Sequence, residues 1–265
     1  FSKSKYGTNY YMCGGYLSNE STIIGTYYKK YNARLNVDSN VKSWLRVGAN
    51  VNGSFSDENV TVNSNYNGII SNTLLQAPDI AVYNADGTYA GPPNSNQNVA
   101  YFNPVAEALT TTNTLTRKNF LGNAYGEISF SDHFKYRGEI GGNTEYSQND
   151  LYNPEHHWGA YNKDEANLDI RRQSWYSVNI KNMFTYDNQF GKSKLNVLAA
   201  QESNDGHWEG TIASAKGFLA DNPHTINLAD PKNSTVTGYK GSASLLSFFA
   251  RAIYEFDNTT IRKLF

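Results

Sequence analysis

One cysteine, Cys13, stands in a chain of 265 residues, so no intrachain disulfide is available and no thiolate zinc site can be built from a cysteine pair. A run of about 18 apolar residues is missing too, which excludes a membrane-spanning helix. It excludes nothing about strands, because spanning strands show only alternating segments of roughly ten residues whose hydropathy averages to polar. A formal net charge of -1, with no arginine-rich stretch and no basic cluster interleaved with aromatics, removes the electrostatic reason to expect a nucleic-acid partner. Residues 1–10 lack the basic start and apolar core of a signal peptide, so position 1 reads as an internal cut.

What the chain does have is 20 Tyr, 13 Phe and 21 Gly, the composition of pleated surfaces with bends and close approaches. The aromatics fall into a two-residue rhythm. Tyr27, Lys29, Tyr31, Ala33, Leu35 and Val37 alternate with Tyr28, Lys30, Asn32, Arg34, Asn36 and Asp38, and Leu45, Val47, Ala49, Val51, Gly53 and Phe55 alternate with Arg46, Gly48, Asn50, Asn52, Ser54 and Ser56. Only a strand sorts side chains to two faces with period two.

The same rhythm places strands near Gly7–Ser18, Gly25–Asp38, Trp44–Ser56, Asn119–Ser131, Phe134–Asn143, Trp175–Tyr186, Ser193–Glu202 and Leu246–Phe256. Tight turns at 39–43, 131–133 and 187–192 alternate with long polar connections at 57–118, 147–171 and 203–242. The first long connection includes a short helix over Tyr66–Gln76, a turn at Asn84-Ala85-Asp86-Gly87, and Pro92-Pro93, which forbids regular structure nearby.

In an antiparallel meander, successive connections lie at opposite ends of the sheet. The long ones therefore share one end and the tight ones the other, as in transmembrane barrels. Eleven residues reach roughly 37 Å extended, or about 26 Å along the normal at a 45° tilt, which matches the apolar band of such a barrel. Arg34, Asp38, Arg46, Glu127, Arg137, Glu139, Lys181, Arg251 and Glu255 fall opposite the apolar sets, where water in a lumen solvates them. Lys29 and Asn182 break the pattern; Lys29 lies near the long-loop end of its strand, within reach of the interface. Trp44, Tyr186 and Phe256 lie at tight-turn ends, where an aromatic belt sits. A soluble sheet with one wet face alternates in the same way, and the short/long order of connections is what favours a barrel wall. The fold class expected is all-β: an antiparallel meander of about eight strands, part of a larger transmembrane β-barrel with long extracellular loops.

The wording of the strands adds specificity. Tyr10-Tyr11-Met12-Cys13-Gly14-Gly15-Tyr16-Leu17, Tyr28 to Asp38, Trp44-Leu45-Arg46-Val47-Gly48-Ala49, Leu75-Gln76-Ala77-Pro78, Tyr83-Asn84-Ala85-Asp86-Gly87, Gly122-Asn123-Ala124-Tyr125 and Ser247-Phe248-Phe249-Ala250-Arg251 together resemble the barrel of SusC/RagA-type TonB-linked outer-membrane transporters. The resemblance implies a barrel of about 22 strands around a plug. It also implies import of oligosaccharides or peptides captured with a SusD-like surface lipoprotein, driven by the TonB complex, in the outer membrane of a Gram-negative bacterium. Residues 1–265 then read as a partial barrel domain in contact with outer-membrane lipid, without plug, N-terminal extension or terminal strand, and inactive in isolation. The tail 257–265 departs from the family wording where another strand is due. A surface β-sheet carbohydrate-binding module, or a passive porin or adhesin barrel, remains the alternative.

Catalysis finds little support. Glu155-His156-His157-Trp158 and His207 are the densest titratable candidates, yet adjacent histidines seldom converge on one ion and no HExxH spacing exists. No enzyme activity, metal or cofactor is expected. The candidate ligand contacts are loop aromatics, since sugars stack C–H faces on flat rings: Tyr83, Tyr89, Tyr101, Tyr152, Trp158, Tyr161 and Trp208.

Overall fold

The computed structural model describes residues 2–5, 7–60, 68–93, 103–218, 225–257 and 259–264, with side chains described for all but 2–5 and 259–264. One antiparallel sheet of ten strands runs in the order β1 (Ser2–Lys5), β2 (Thr8–Glu20), β3 (Tyr27–Lys42), β4 (Leu45–Asn59), β5 (Thr112–Ser129), β6 (Phe134–Asn153), β9 (Asn167–Phe190), β10 (Ser193–Lys216), β11 (Thr235–Phe256), β12 (Thr259–Leu264). Between β6 and β9 a small hairpin, β7 (His156–Trp158) and β8 (Tyr161–Lys163), stands apart from it. Two short helices, α1 (Ile69–Leu75) and α2 (Pro104–Thr110), lie in the connection from β4 to β5. Strand neighbours in space are neighbours in sequence, so the wall is an up-and-down meander.

Register fixes the two faces. Val47, Gly126, Gly138, Asn182, Gln201 and Phe248 form one continuous cross-strand row, and Asp38, Gly48, Tyr125, Glu139, Lys181 and Glu202 form a row on the opposite face. The first face is apolar and outward in the sense of a barrel, and much of it is bare: Ile140 is 55% exposed and Phe248 72%. Leaving such side chains in water forfeits roughly 1.5–3 kcal/mol each, so this face calls for hydrocarbon.

Aromatic rings bound that face at both ends. At the tight-turn end, Phe134 packs on Phe130 at 5.8 Å and on Phe184 at 6.1 Å between ring centres, with Trp44, Tyr186, Tyr254 and Phe256 at the same end of their strands. At the long-loop end, Tyr16, Tyr31 and Phe55 stack in series at 4.8 and 6.3 Å, and Phe120, Tyr146 and Tyr176 continue along the outward face. From Leu45 to Phe55 on β4 is a climb of about 24 Å at a 45° tilt, close to the apolar band of a membrane barrel. Between these girdles β2 to β6, β9 and β11 place no Asp, Glu, Lys or Arg outward; β10 places one, Asp205, in the row of Val178 just inside Tyr176, where it accepts from the Ser244 hydroxyl at 2.6 Å and meets His207 at 3.1 Å. Asn182, the outward polar exception in the strand pattern, is satisfied laterally: it donates to Gln201 at 2.7 Å and accepts from the Tyr136 hydroxyl at 2.7 Å. Lys29 lies above the upper girdle, its ammonium 5.1 Å from the centre of the Tyr27 ring.

The strands run further than their hydrophobic pattern. At the tight-turn ends, observed starts at Leu45, Phe134 and Ser193 agree with the sequence to within a residue. At the long-loop ends, β6 continues to Asn153, β9 begins at Asn167, β10 continues to Lys216 and β11 begins at Thr235. The expected polar connections at 147–171 and 203–242 therefore shrink to 154–166, which holds the β7–β8 hairpin, and 217–234. Past the upper girdle both faces are wet, so ladder pairing persists while alternation fades. The expected helix is present over Ile69–Leu75; Tyr66 and Asn67 lie outside the described residues. The tail, despite its departing wording, pairs with β11 through Thr259–Leu264.

Candidate functional site

The inward face carries a lattice of polar side chains. Arg46 donates to Asp38 at 3.0 and 3.1 Å, and the Tyr125 hydroxyl donates to the same carboxylate from two strands away. Arg137 lies over the Tyr125 ring at 3.7 Å and pairs with Glu139 at 2.9 Å. Asn123 donates to Glu139 at 2.9 Å and accepts from Asn50 at 3.0 Å; further along, Asn179 and Lys181 both serve Glu202, at 2.6 and 3.4 Å. These groups are partly open to solvent, so each pair is worth little alone. Joined within β3 to β6 and again between β9 and β10, they hold a polar surface in one arrangement. Trp208 joins this face on β10, beside Trp175 of β9, with its indole laid over Gly241 of β11. Trp175 is a further inward ring, which hydropathic alternation marks only as one of the strand's polar-face positions.

Above the wall, four of the candidate loop aromatics meet. Tyr83 stacks on Tyr89 at 5.4 Å, Tyr89 meets Trp158 edge-on at 6.2 Å, His156 lies flat on Trp158 at 3.9 Å, and Tyr161 lies 5.7 Å beyond His156. Asn103 organises this assembly. Its side-chain oxygen caps α2 by accepting from the amides of Val105 and Ala106 at 3.1 Å each, as an N-cap asparagine before a first-turn proline does. Its amide nitrogen donates to the carbonyls of Val82 at 2.7 Å and Ala90 at 3.0 Å, tying the helix to the Tyr83/Tyr89 turn. The β7–β8 hairpin docks through Ala160, which donates to the Pro92 carbonyl at 2.8 Å. Gly91 and Gly159 permit that approach, because a Cβ on either would overlap the backbone of the other segment.

Position decides how much ring each candidate presents. Tyr83 is 51% exposed and Trp208 38%, whereas Trp158 and Tyr152 are only 6% exposed. Tyr152 belongs to a separate cluster with Ala166 and Leu168, where Phe218 meets it edge-on at 6.2 Å and Ile226 packs against the cluster. Tyr101 lies outside the described residues.

Burial shifts the titrations of the loop cluster. The Glu107 carboxyl on α2 is pushed up to about 7 by desolvation, and its Oε2 atom is buried with no hydrogen-bond partner. Desolvation also lowers His156 and raises Tyr161, the latter with help from the Glu107 charge. Lys163, whose ammonium donates to the Asn153 carbonyl and to Asn167, falls to about 8 through burial and then the nearby Lys216 charge, against the pull of Asp169. His157 points elsewhere, 4.0 Å from Asp164, so the two adjacent histidines do not converge. Among the described residues no group of three or more His, Cys, Asp or Glu comes together at metal-binding distances.

No family model matches the chain. Over 272 aligned residues it is 26% identical to TonB-dependent receptor P3 of Formosa agariphila, covering 98% of this chain and 26% of that protein. A second receptor of that organism, P26, is 25% identical over 94% of this chain and 25% of its own length. Over nearly its whole length, this chain is a relative of TonB-dependent receptors. It spans about a quarter of the length of these curated relatives. In fold, the receptor-like wall superposes on the structure of the RagAB peptide transporter with a TM-score of 0.84 at 20% identity, covering 99% of this chain and 30% of that one. The siderophore receptor PiuA from Acinetobacter baumannii matches more loosely, with a TM-score of 0.53 at 12% identity over 97% of this chain and 37% of its own. The SusC/RagA-type resemblance carried by the strand wording is thus matched by the fold, and the similar proteins are receptors and transporters.

Proposed function

We propose that residues 1–265 form part of the barrel wall of a TonB-dependent importer in the outer membrane of a Gram-negative bacterium. The remaining strands, the plug and the TonB-contacting segment belong to the rest of that polypeptide, and the wall alone does not transport. The observation that carries this reading is the division of one sheet into an apolar outward band between two aromatic girdles, whose one charge on β2 to β6 and β9 to β11 is Asp205 at the upper edge, and a hydrogen-bonded polar face turned the other way. An aqueous passage needs the second and a bilayer needs the first. Similarity to TonB-dependent receptors supports active uptake over a passive pore.

The cargo in this proposal is an oligosaccharide or peptide, taken over from a SusD-like surface lipoprotein. Tyr83 and Trp208 offer open ring surface for it, Tyr89, Tyr161 and the buried Trp158 and Tyr152 hold the loops that frame the entrance, and Tyr101 completes the set of proposed contacts. The test is uptake by cells carrying the complete polypeptide, with defined oligosaccharides or peptides as sole nutrient. Import that stops when the proton gradient is dissipated or TonB is deleted supports the proposal; import that persists in both cases indicates a passive pore and contradicts it.

A further inference from the structure

Above the upper girdle the outward face turns polar, and one part of it is hollow. A cavity of about 510 Å³ lies across β6, β9, β10 and β11. Two adjacent cross-strand rows make its floor: Tyr146, Ser174, Glu209 and Lys240 in the lower, and Arg172, Thr211 and Gly238 in the upper. All of them share the outward parity of Ile140, Ile180 and Leu246, so the hollow opens away from the lumen. Glu209 stands sixteen residues beyond Ser193 at the foot of β10, a climb of about 39 Å at a 45° tilt, which places it roughly 14 Å above an apolar band of about 25 Å.

The lining chemistry is specific in kind. Arg172 pairs with Asp150 at 2.5 Å, Glu209 with Lys240 at 4.0 Å, and Ser174 donates to Glu209 at 3.4 Å. Because each cation already faces a carboxylate, the hollow exerts little net field on an isolated anion. Donors and acceptors nonetheless alternate along it, and a hydroxyl group both gives and takes a hydrogen bond. Tyr146, 40% exposed, adds a flat apolar ring at the lower edge, and Gly238 leaves the floor open. A flat ring beside paired, bidirectional polar groups suits a pyranose.

We propose that this hollow holds a sugar of a lipid-anchored oligosaccharide in the outer leaflet, on the outside of the wall and apart from any cargo path. The inference rests on the membrane orientation proposed above. Lipid anchorage follows from continuity on the β6 and β9 side: there the outward strip below the hollow, through Val178, Ile180 and Ile140, is bare and apolar, while β10 and β11 carry the polar His207, Asp205, Ser242 and Ser244 beside it, so a lipid whose chains lie on the apolar strip brings its headgroup sugars to Tyr146 and Glu209.

The test uses the complete barrel in mild detergent, titrated with rough-type lipopolysaccharide and read by native mass spectrometry. Tyr146→Ala and Thr211→Trp, which remove the ring and fill the hollow, are expected to weaken retention at least ten-fold. The inward control Ser177→Ala on β9, outside the cavity lining, is expected to leave it unchanged. Lipid A without core sugars should be indifferent to all three. Heat-modifiable migration on gels confirms that each variant is folded, and the two outward variants act independently if one fails that check. Retention equal to wild type in a folded outward variant overturns the proposal, as does lipid A that shows the same sensitivity. Soluble core oligosaccharide binding as tightly as the anchored form, with the same sensitivity, contradicts the lipid source. Nutrient uptake is scored separately, so loss of the importer reading and loss of this site are distinguishable.

Discussion

Arg137 lies 3.7 Å above the centre of the Tyr125 ring while the hydroxyl of that same tyrosine donates to Asp38, so one aromatic side chain links β6 to β3 across the intervening β4 and β5. The link depends on a glycine. A methyl group on Gly48 of β4 would occupy the space of the Tyr125 ring. Gly48→Val is therefore expected to displace Tyr125 and to break both contacts together, whereas Tyr125→Phe breaks only the hydrogen bond. In the complete barrel, denaturant unfolding should show a loss of about 1 kcal/mol for Tyr125→Phe and about 2–3 kcal/mol for Gly48→Val. Equal losses would mean that the ring position carries no energy.

Face asymmetry predicts a second difference. Lysine at Leu35, Val47 or Ile140 places a charge toward lipid and should cost about 2–4 kcal/mol near the middle of the band. The same change at Asn36, Asn50 or Asn143 enters the aqueous face and should be tolerated within about 0.5 kcal/mol. Folding yield into lipid vesicles measures both sets.

Asn103 is the residue on which the loop cluster turns. Asn103→Ala removes the cap of α2, takes the side-chain donor from the Ala90 carbonyl and leaves the Val82 carbonyl with only the Ala90 N–H, for an expected local loss of about 2–3 kcal/mol. Asn103→Asp keeps the cap acceptor but not the donor and should fall between. Limited proteolysis within 68–93 reads the ranking, with cleavage fastest for Ala.

The same cluster should loosen as pH rises. A carboxyl with its folded value raised to about 7 binds a proton that the unfolded segment has released from about 4.3 upward, so stability declines across that interval and levels off above about 7. Amide exchange at Ala160, whose N–H spans the two loops, is expected to lose protection between pH 5 and about 7 after correction for intrinsic rates. Glu107→Gln should flatten that dependence.

How much of this was legible in the sequence follows from where each face meets its solvent. Between Leu45 and Phe55, or Phe134 and Tyr146, one face meets lipid and the other water, so alternation reports strand, face and boundary at once. Beyond Tyr146, β6 continues through Ser147, Gln148, Asn149 and Asp150 with both faces wet, and nothing in the hydropathy separates that paired strand from a loop. The candidate aromatics were legible as a composition but not as an assembly. Tyr83, Tyr89, Trp158 and Tyr161 come together through Asn103, whose signal was the Asn103-Pro104 start of a helix inside a stretch read as irregular. Trp208 lies past Glu202, where the alternation that marks a strand fades, whereas β10 runs on to Lys216 and carries it on the inward face.

Collision-accessibility measurement of nitroxides placed one at a time from Phe134 to Tyr146, in the complete barrel with Cys13→Ser and reconstituted in lipid, tests the membrane wall most directly. Even positions are expected to relax with oxygen from the bilayer and odd positions with a water-soluble nickel chelate, alternating without a break. Even positions shielded from both reagents would place that face under protein, and the wall reading would be contradicted.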